Sequence, residues 1–113
     1  MSKSFEIPNM YKWAEDLFPI CRSITGPGVR ETLSYIQKLI PDLKLHSIES
    51  GESVFDWQVP LEWSIKDAYI EDSSGKKIVD FKINNLHVVG YSEPVDSVVN
   101  LNELQQHLHS IPA

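Results

Sequence analysis

Four histidines, one cysteine and sixteen acidic side chains are the groups in this 113-residue chain that could carry chemistry. A zinc site would need them at ligand spacing. His46 and His87 stand alone in alternating, apolar surroundings. His107 and His109 are two apart on a predicted helix and therefore point to different faces, whereas four-residue spacing would converge on one ion. There is no HExxH, and a single cysteine cannot close a structural zinc site. Cys21 falls four residues after Leu17 and eight after Trp13, which suits a small packed hydrophobe better than a nucleophile. No GxSxG elbow is present. Glu71, Asp72 and Asp80 flank a predicted hairpin tip, where solvated acids are expected, and no catalytic pair is assigned. The sequence therefore assigns no catalytic residue and no metal ligand.

The strongest local candidate is the loop from Arg22 to Arg30. It ends at the start of a predicted helix, where free N–H groups and a partial positive charge attract anions. Gly26 and Gly28 would let a ligand approach, Thr25 offers a hydroxyl, and Arg22 and Arg30 could hold a carboxylate or phosphate. The competing reading, which we favour, is a tight turn with either arginine paired to an acid such as Glu31 or Asp16. Trp57, Pro60 and Trp63 form a second candidate, a surface for a partner. They could equally form the seam between helical and β parts, the reading we prefer because a small domain needs its large aromatics for core.

These groups must be positioned by a chain of ordinary globular composition, 42% hydrophobic and 23% charged. Its formal net charge of −6 argues against nucleic acid, which needs a basic face. No apolar run approaches the ~20 residues of a membrane span. The opening residues show no export signal, and the lone cysteine allows no internal disulfide, so a cytoplasmic location is expected.

Pro8 and Asn9 are read as opening a first helix, with Asn9 as its N-cap, and Pro19 implies a kink or an early end near Phe18. Trp13 and Leu17, widened by Ala14 and Phe18, give its apolar stripe. Pro27 suits the first turn of a second helix, whose face is Val29, Leu33, Ile36 and Ile40 and which Pro41 stops. The period then changes to alternation. Leu43 to Ile48 is predicted as a strand. Trp63 to Glu71 and Lys77 to Lys82 are predicted as a hairpin around Asp72-Ser73-Ser74-Gly75. Asn84-Asn85 turns a corner into Leu86 to Tyr91, nearly continuously apolar and predicted as a central strand. Asn100 and Glu103 make a capping box for a last helix lined by Leu101, Leu104, Leu108 and Ile111. Two helices, a mostly antiparallel β region and a short closing helix give an α+β class.

Several segments taken together also resemble a known family. Arg22-Ser23-Ile24-Thr25-Gly26-Pro27-Gly28 with the Tyr35-Ile36 helix looks like the opening of co-catalytic zinc aminopeptidases. Joined to Asp56 through Trp63, Asn84 through Ser92 and Leu104 through Pro112, it resembles bacterial aminopeptidase-like proteins of unknown function, often associated with polysaccharide biosynthesis loci. The resemblance runs from about Tyr11 to Pro112. It implies a fragment of a larger zinc peptidase-like fold, with a β-rich domain inserted early and a carboxy-terminal winged helix. Residues 1–53 would begin the peptidase domain, and residues 54–113 would form the first part of the insert. The family's metal ligands follow the insert, so zinc is expected only in a full-length parent and no cofactor in this chain.

Two functions remain in view. One is a non-catalytic, amino-terminal accessory segment of a zinc aminopeptidase-like protein, whose parent would hydrolyse peptide or amide bonds. The other is a free-standing protein-interaction module without activity. The expected partner is the remainder of a parent protein or a second copy, with no nucleic acid and no membrane.

Overall fold

The computed structural model describes residues 7–112. Residues 1–6, where no export signal was read, and Ala113 lie outside the described residues. The fold is α+β, with helices segregated from small antiparallel pairings: α1 (Ile7–Leu17), α2 (Pro27–Leu39), β1 (Ser53–Val54), β2 (Trp57–Gln58), β3 (Tyr69–Glu71), β4 (Lys77–Asp80) and α3 (Leu101–Gln105). No helix among the described residues is long and apolar enough to cross a membrane.

Local signals placed the helix ends well. Pro27 sits in the first turn of α2, Leu39 ends it two residues before Pro41, and α1 ends at Leu17 before Pro19. Asn9 is a correction, because it lies inside α1 rather than at its cap. Cys21 falls beyond the helix and is half-buried, so it does not continue the Trp13–Leu17 stripe. α3 carries the expected box: Asn100 Oδ1 accepts from the Glu103 N–H at 3.0 Å and Glu103 Oε2 accepts from the Asn100 N–H at 2.9 Å. It is only five residues long, which leaves Leu108 and Ile111 outside it and exposed.

The sheets are two separate antiparallel pairs. β1 and β2 form a tight hairpin with Val54 opposite Trp57, extended by Val59 N–H to Glu52 O at 2.9 Å and Gly51 N–H to Val59 O at 2.7 Å. β3 and β4 pair Ile70 with Val79 and Tyr69 with Asp80. Their turn is the predicted one. Asp72 Oδ1 accepts from the N–H groups of Ser74 and Lys76 at 2.9 and 3.1 Å, and Gly75 takes φ 82°.

Two predicted strands are absent. Leu43 to Ile48 enters no ladder. Leu86 to Tyr91 begins instead in a 3₁₀ turn, Asn85–His87, capped by the Asn84 side chain, and Tyr91 takes φ 64°, which no strand accommodates. The hairpin also loses its expected Trp63–Ala68 arm, because Trp63 turns its N–H toward the second helix's loop (Thr25 O, 3.4 Å).

No apolar side chain among the described residues is fully buried, and Gly26 alone is classed as buried there. The accessible surface is 10305 Å², against about 6,300 Å² expected for a compact 12.9 kDa chain. The radius of gyration, 19.0 Å, likewise exceeds the ~13 Å of a compact chain this long. The described residues do not close a core of their own.

Candidate functional site: an inter-segment joint

The α1–α2 loop is where the two halves meet. Gly26, at φ 135°, lies so close to the Trp63 backbone that a Cβ there would stand 2.4 Å from the Trp63 carbonyl oxygen. A Cβ on Gly28 would stand 2.2 Å from Cys21 O, so this glycine lets the loop fold back on itself. Both glycines thus admit backbone, a close approach that only a residue without a Cβ permits.

Thr25 is the hub. Its hydroxyl donates to Leu61 O at 3.2 Å and lies 2.8 Å from the Tyr91 hydroxyl. With its one proton committed to Leu61, Thr25 must accept from Tyr91. Trp63 Nε1 donates to Ser92 O at 3.0 Å, and the Trp63 and Tyr91 rings stand 6.3 Å apart at 33°. The left-handed backbone at Tyr91 is what turns its ring toward this cluster. A positive φ on a bulky residue persists only where the surroundings fix it.

The two arginines are engaged within the chain. Arg30 grips Glu62 with both terminal nitrogens, Nη2 to Oε2 at 3.1 Å and Nη1 to Oε1. This pairing raises the Arg30 pKa and holds the Glu62 carboxyl below its ordinary value. Both side chains are about half exposed, so the pair is screened by water and adds alignment more than energy. Arg22 Nη1 donates to Leu17 O at 2.9 Å, where it joins the Ile20 N–H, and to Thr32 Oγ1 at 3.2 Å, tying the end of α1 to α2. The acid on Arg30 is Glu62, whereas Glu31 and Asp16 were the expected partners. Asp16 instead accepts from Lys12 Nζ at 2.6 Å and from Tyr35 Oη at 2.8 Å, which lowers its pKa and raises that of Tyr35. Asn85 adds a further tie by donating through Nδ2 to Phe18 O.

The aromatic candidates separate. Trp63 is half-buried in the joint, beside half-buried Pro60, whereas Trp57 is 49% exposed on β2. Sequence reasoning missed Glu62, Tyr91 and Asn85. No local signal marks them, because their partners lie 32, 66 and 67 residues away. Beside the joint, an open groove of about 600 Å³ runs between α1, α2 and residues 63–65, with Cys21, Tyr35 and Phe81 in its walls. Among the described residues no three His, Cys, Asp or Glu side chains converge where an ion could sit.

The depressed Glu62 pKa yields a test. A carboxylate held below its ordinary value stabilises the joint above that value and loses the effect as pH falls through the lowered one. The Glu62 carboxyl, followed by carbon NMR, should titrate below 4.5. Arg30→Ala should return it to the ordinary range, and an unmoved midpoint would dissolve the pair.

Comparison with known proteins gives the joint its context. Residues 62–113 match DUF2172, a domain of unknown function. Over 103 residues the chain is 57% identical to a Clostridium acetobutylicum protein whose name assigns it, provisionally, to polysaccharide biosynthesis with an aminopeptidase-like domain. That alignment takes in 91% of this chain and 24% of the relative. A crystal structure from Clostridium acetobutylicum, of a protein provisionally named a peptidase, superposes with a TM-score of 0.86 at 56% identity. It covers 93% of this chain and 25% of that one. The chain thus spans about a quarter of the length of these relatives and corresponds to one segment of a larger peptidase-like protein. The resemblance read from its motifs holds.

Proposed function

We propose that this chain is a non-catalytic accessory segment of an aminopeptidase-like protein, and that its Thr25–Trp63–Tyr91 joint fixes the β-bearing part against the two helices. The observation that carries this reading is the open core: without one buried apolar side chain among the described residues, the fold is completed by other polypeptide. The amount of excess surface favours the remainder of a longer protein over a second copy. It is about 4,000 Å², several times the ~800 Å² per partner of a standard interface. In this reading any zinc, and the hydrolysis of a peptide or amide bond, belong to the remainder. The amino-terminal helices would begin the peptidase domain and the residues from 54 onward the insert. A reducing compartment such as the cytoplasm fits a chain with a single cysteine. The loop of Arg22, Thr25, Gly26, Gly28 and Arg30 serves as a joint in preference to an anion cradle, since its arginines already hold partners. Millimolar phosphate should leave the Glu62 titration where it is.

The deciding experiment seats this chain in the clostridial relative in place of the quarter it matches. The chimera should be monodisperse with a cooperative melt, and the 113-residue chain alone should release no product from aminoacyl chromogenic substrates. It should also retain no more zinc after dialysis against a mild chelator than a histidine-containing control. A chimera that stays unfolded would sink the accessory-segment reading. Stoichiometric zinc on the isolated chain would move the metal into it.

A further inference from the structure

The β1–β2 hairpin carries an aromatic ring that packs on nothing among the described residues. Phe55 and Asp56 are the two turn residues between Val54 and Trp57, and Phe55 takes φ 52°. Glycine takes such a backbone freely, whereas a bulky side chain strains it. Phe55 is nevertheless 101% exposed, with Trp57 beside it half exposed. A strained turn that lifts a large apolar ring wholly into water stabilises nothing here, and such outliers point toward a binding role.

The charge around the ring restricts what it can meet. Between Lys44 and Lys66 there is no lysine or arginine, while Glu49, Glu52 and Asp56 lie within six residues of Phe55 in sequence. Nucleic acid and anionic bilayers are repelled by those acids. The tip of a second copy is a poor match as well, because it would set the same acids against one another. What fits is an apolar pocket rimmed by lysine or arginine, into which one aromatic seats as an anchor.

We propose that Phe55 is a plug that enters such a pocket on the part of the longer polypeptide that relatives of this chain possess and this chain does not contain. The inference rests on the accessory-segment reading and adds to it the point of contact and its chemistry. The ring supplies buried area, the strained turn aims it, and the three carboxylates set its register against the basic rim.

The chimera provides the test. Phe55→Cys is treated with a maleimide, and peptide-resolved mass spectrometry follows residue 55 in the folded protein and in the same protein unfolded in urea. Asp56→Cys, which keeps the ring, is the second reporter and covers the case in which losing the plug prevents folding. In the folded protein, labelling at either position should be at least ten-fold slower than in urea. Rates within two-fold of the unfolded ones at both positions, in a chimera that melts cooperatively, would overturn the plug and leave the accessory segment intact. A chimera that never folds, with Phe55 in place, would remove the reading beneath it and the plug together.

Discussion

In isolation, the 113-residue chain should form dimers or larger assemblies at micromolar concentration, or come out of solution, and should bind a hydrophobic dye. Val29, Leu33 and Ile36 on α2 are only half-buried, and Ile40 is 46% exposed. Elsewhere, Phe18, Ile20, Trp63 and Phe81 wall open grooves. Monomeric proteins rarely leave contiguous apolar patches beyond a few hundred Å² in water, and this chain exceeds its compact surface by about 4,000 Å². Burial at ~25 cal/mol per Å² is the main term that offsets chain entropy, so too little of it leaves no sharp transition. A broad melt is therefore expected. The predicted Leu86–Tyr91 strand would have offered an edge for pairing, but a 3₁₀ turn stands there, so association proceeds through side chains. Light scattering that shows a stable monomer with a single cooperative melt and little dye binding would favour the free-standing interaction module instead.

Within the chimera, Gly26→Ala should be far more damaging than alanine at the other two positive-φ glycines. Gly26, Gly51 and Gly75 all have positive φ, at 135°, 91° and 82°, so alanine strains the backbone at each. That shared penalty is about 1–3 kcal/mol. Gly51 and Gly75 have nothing within 4 Å of a built Cβ, whereas at Gly26 the Cβ would stand 2.4 Å from a backbone oxygen. Backbone cannot swing aside like a side chain, so the loop must move off Trp63, with the Thr25 and Tyr91 hydrogen bonds at risk. Overpacking of this kind adds about 1–3 kcal/mol. The thermal midpoint should fall clearly further for Gly26→Ala than for Gly51→Ala or Gly75→Ala. Equal losses at the three sites would mean that backbone strain alone governs Gly26 and that the close approach is dispensable.

What could be read in advance was whatever is written within a few residues. Pro27 set the start of α2, Asp72 through Gly75 set a turn, and Asn100 with Glu103 set a cap, each through contacts no more than five residues apart. The strands were legible only in part. Alternation in Leu43 to Ile48 records a willingness to pair, but pairing needs a neighbour, and the described residues supply none. The apolar run from Leu86 to Tyr91 was misread because such a run has no period that tells strand from turn. Its geometry is fixed by Asn84 capping Leu86 and by Tyr91 reaching Thr25. The joint was half legible. Gly26, Gly28 and the arginines stood out by type, while the contacts that Gly26, Arg30 and the Thr25 hydroxyl make across the joint span 32 to 66 residues.

The start of the DUF2172 match at residue 62 has a practical consequence for anyone dissecting such proteins. A cut made there by similarity would take Glu62 from its neighbour Leu61 and separate both Glu62 and Trp63 from the loop that receives them. Arg30 would then face water, the Thr25 hydroxyl would lose Tyr91 and keep only Leu61 O, and Tyr91 would keep a left-handed backbone with nothing opposite to hold it. The unit recognisable by ancestry is therefore not a unit that can be lifted out by physics. If residues 62–113 travel between hosts, each host must bring its own threonine-glycine loop and a cation one helical turn further on.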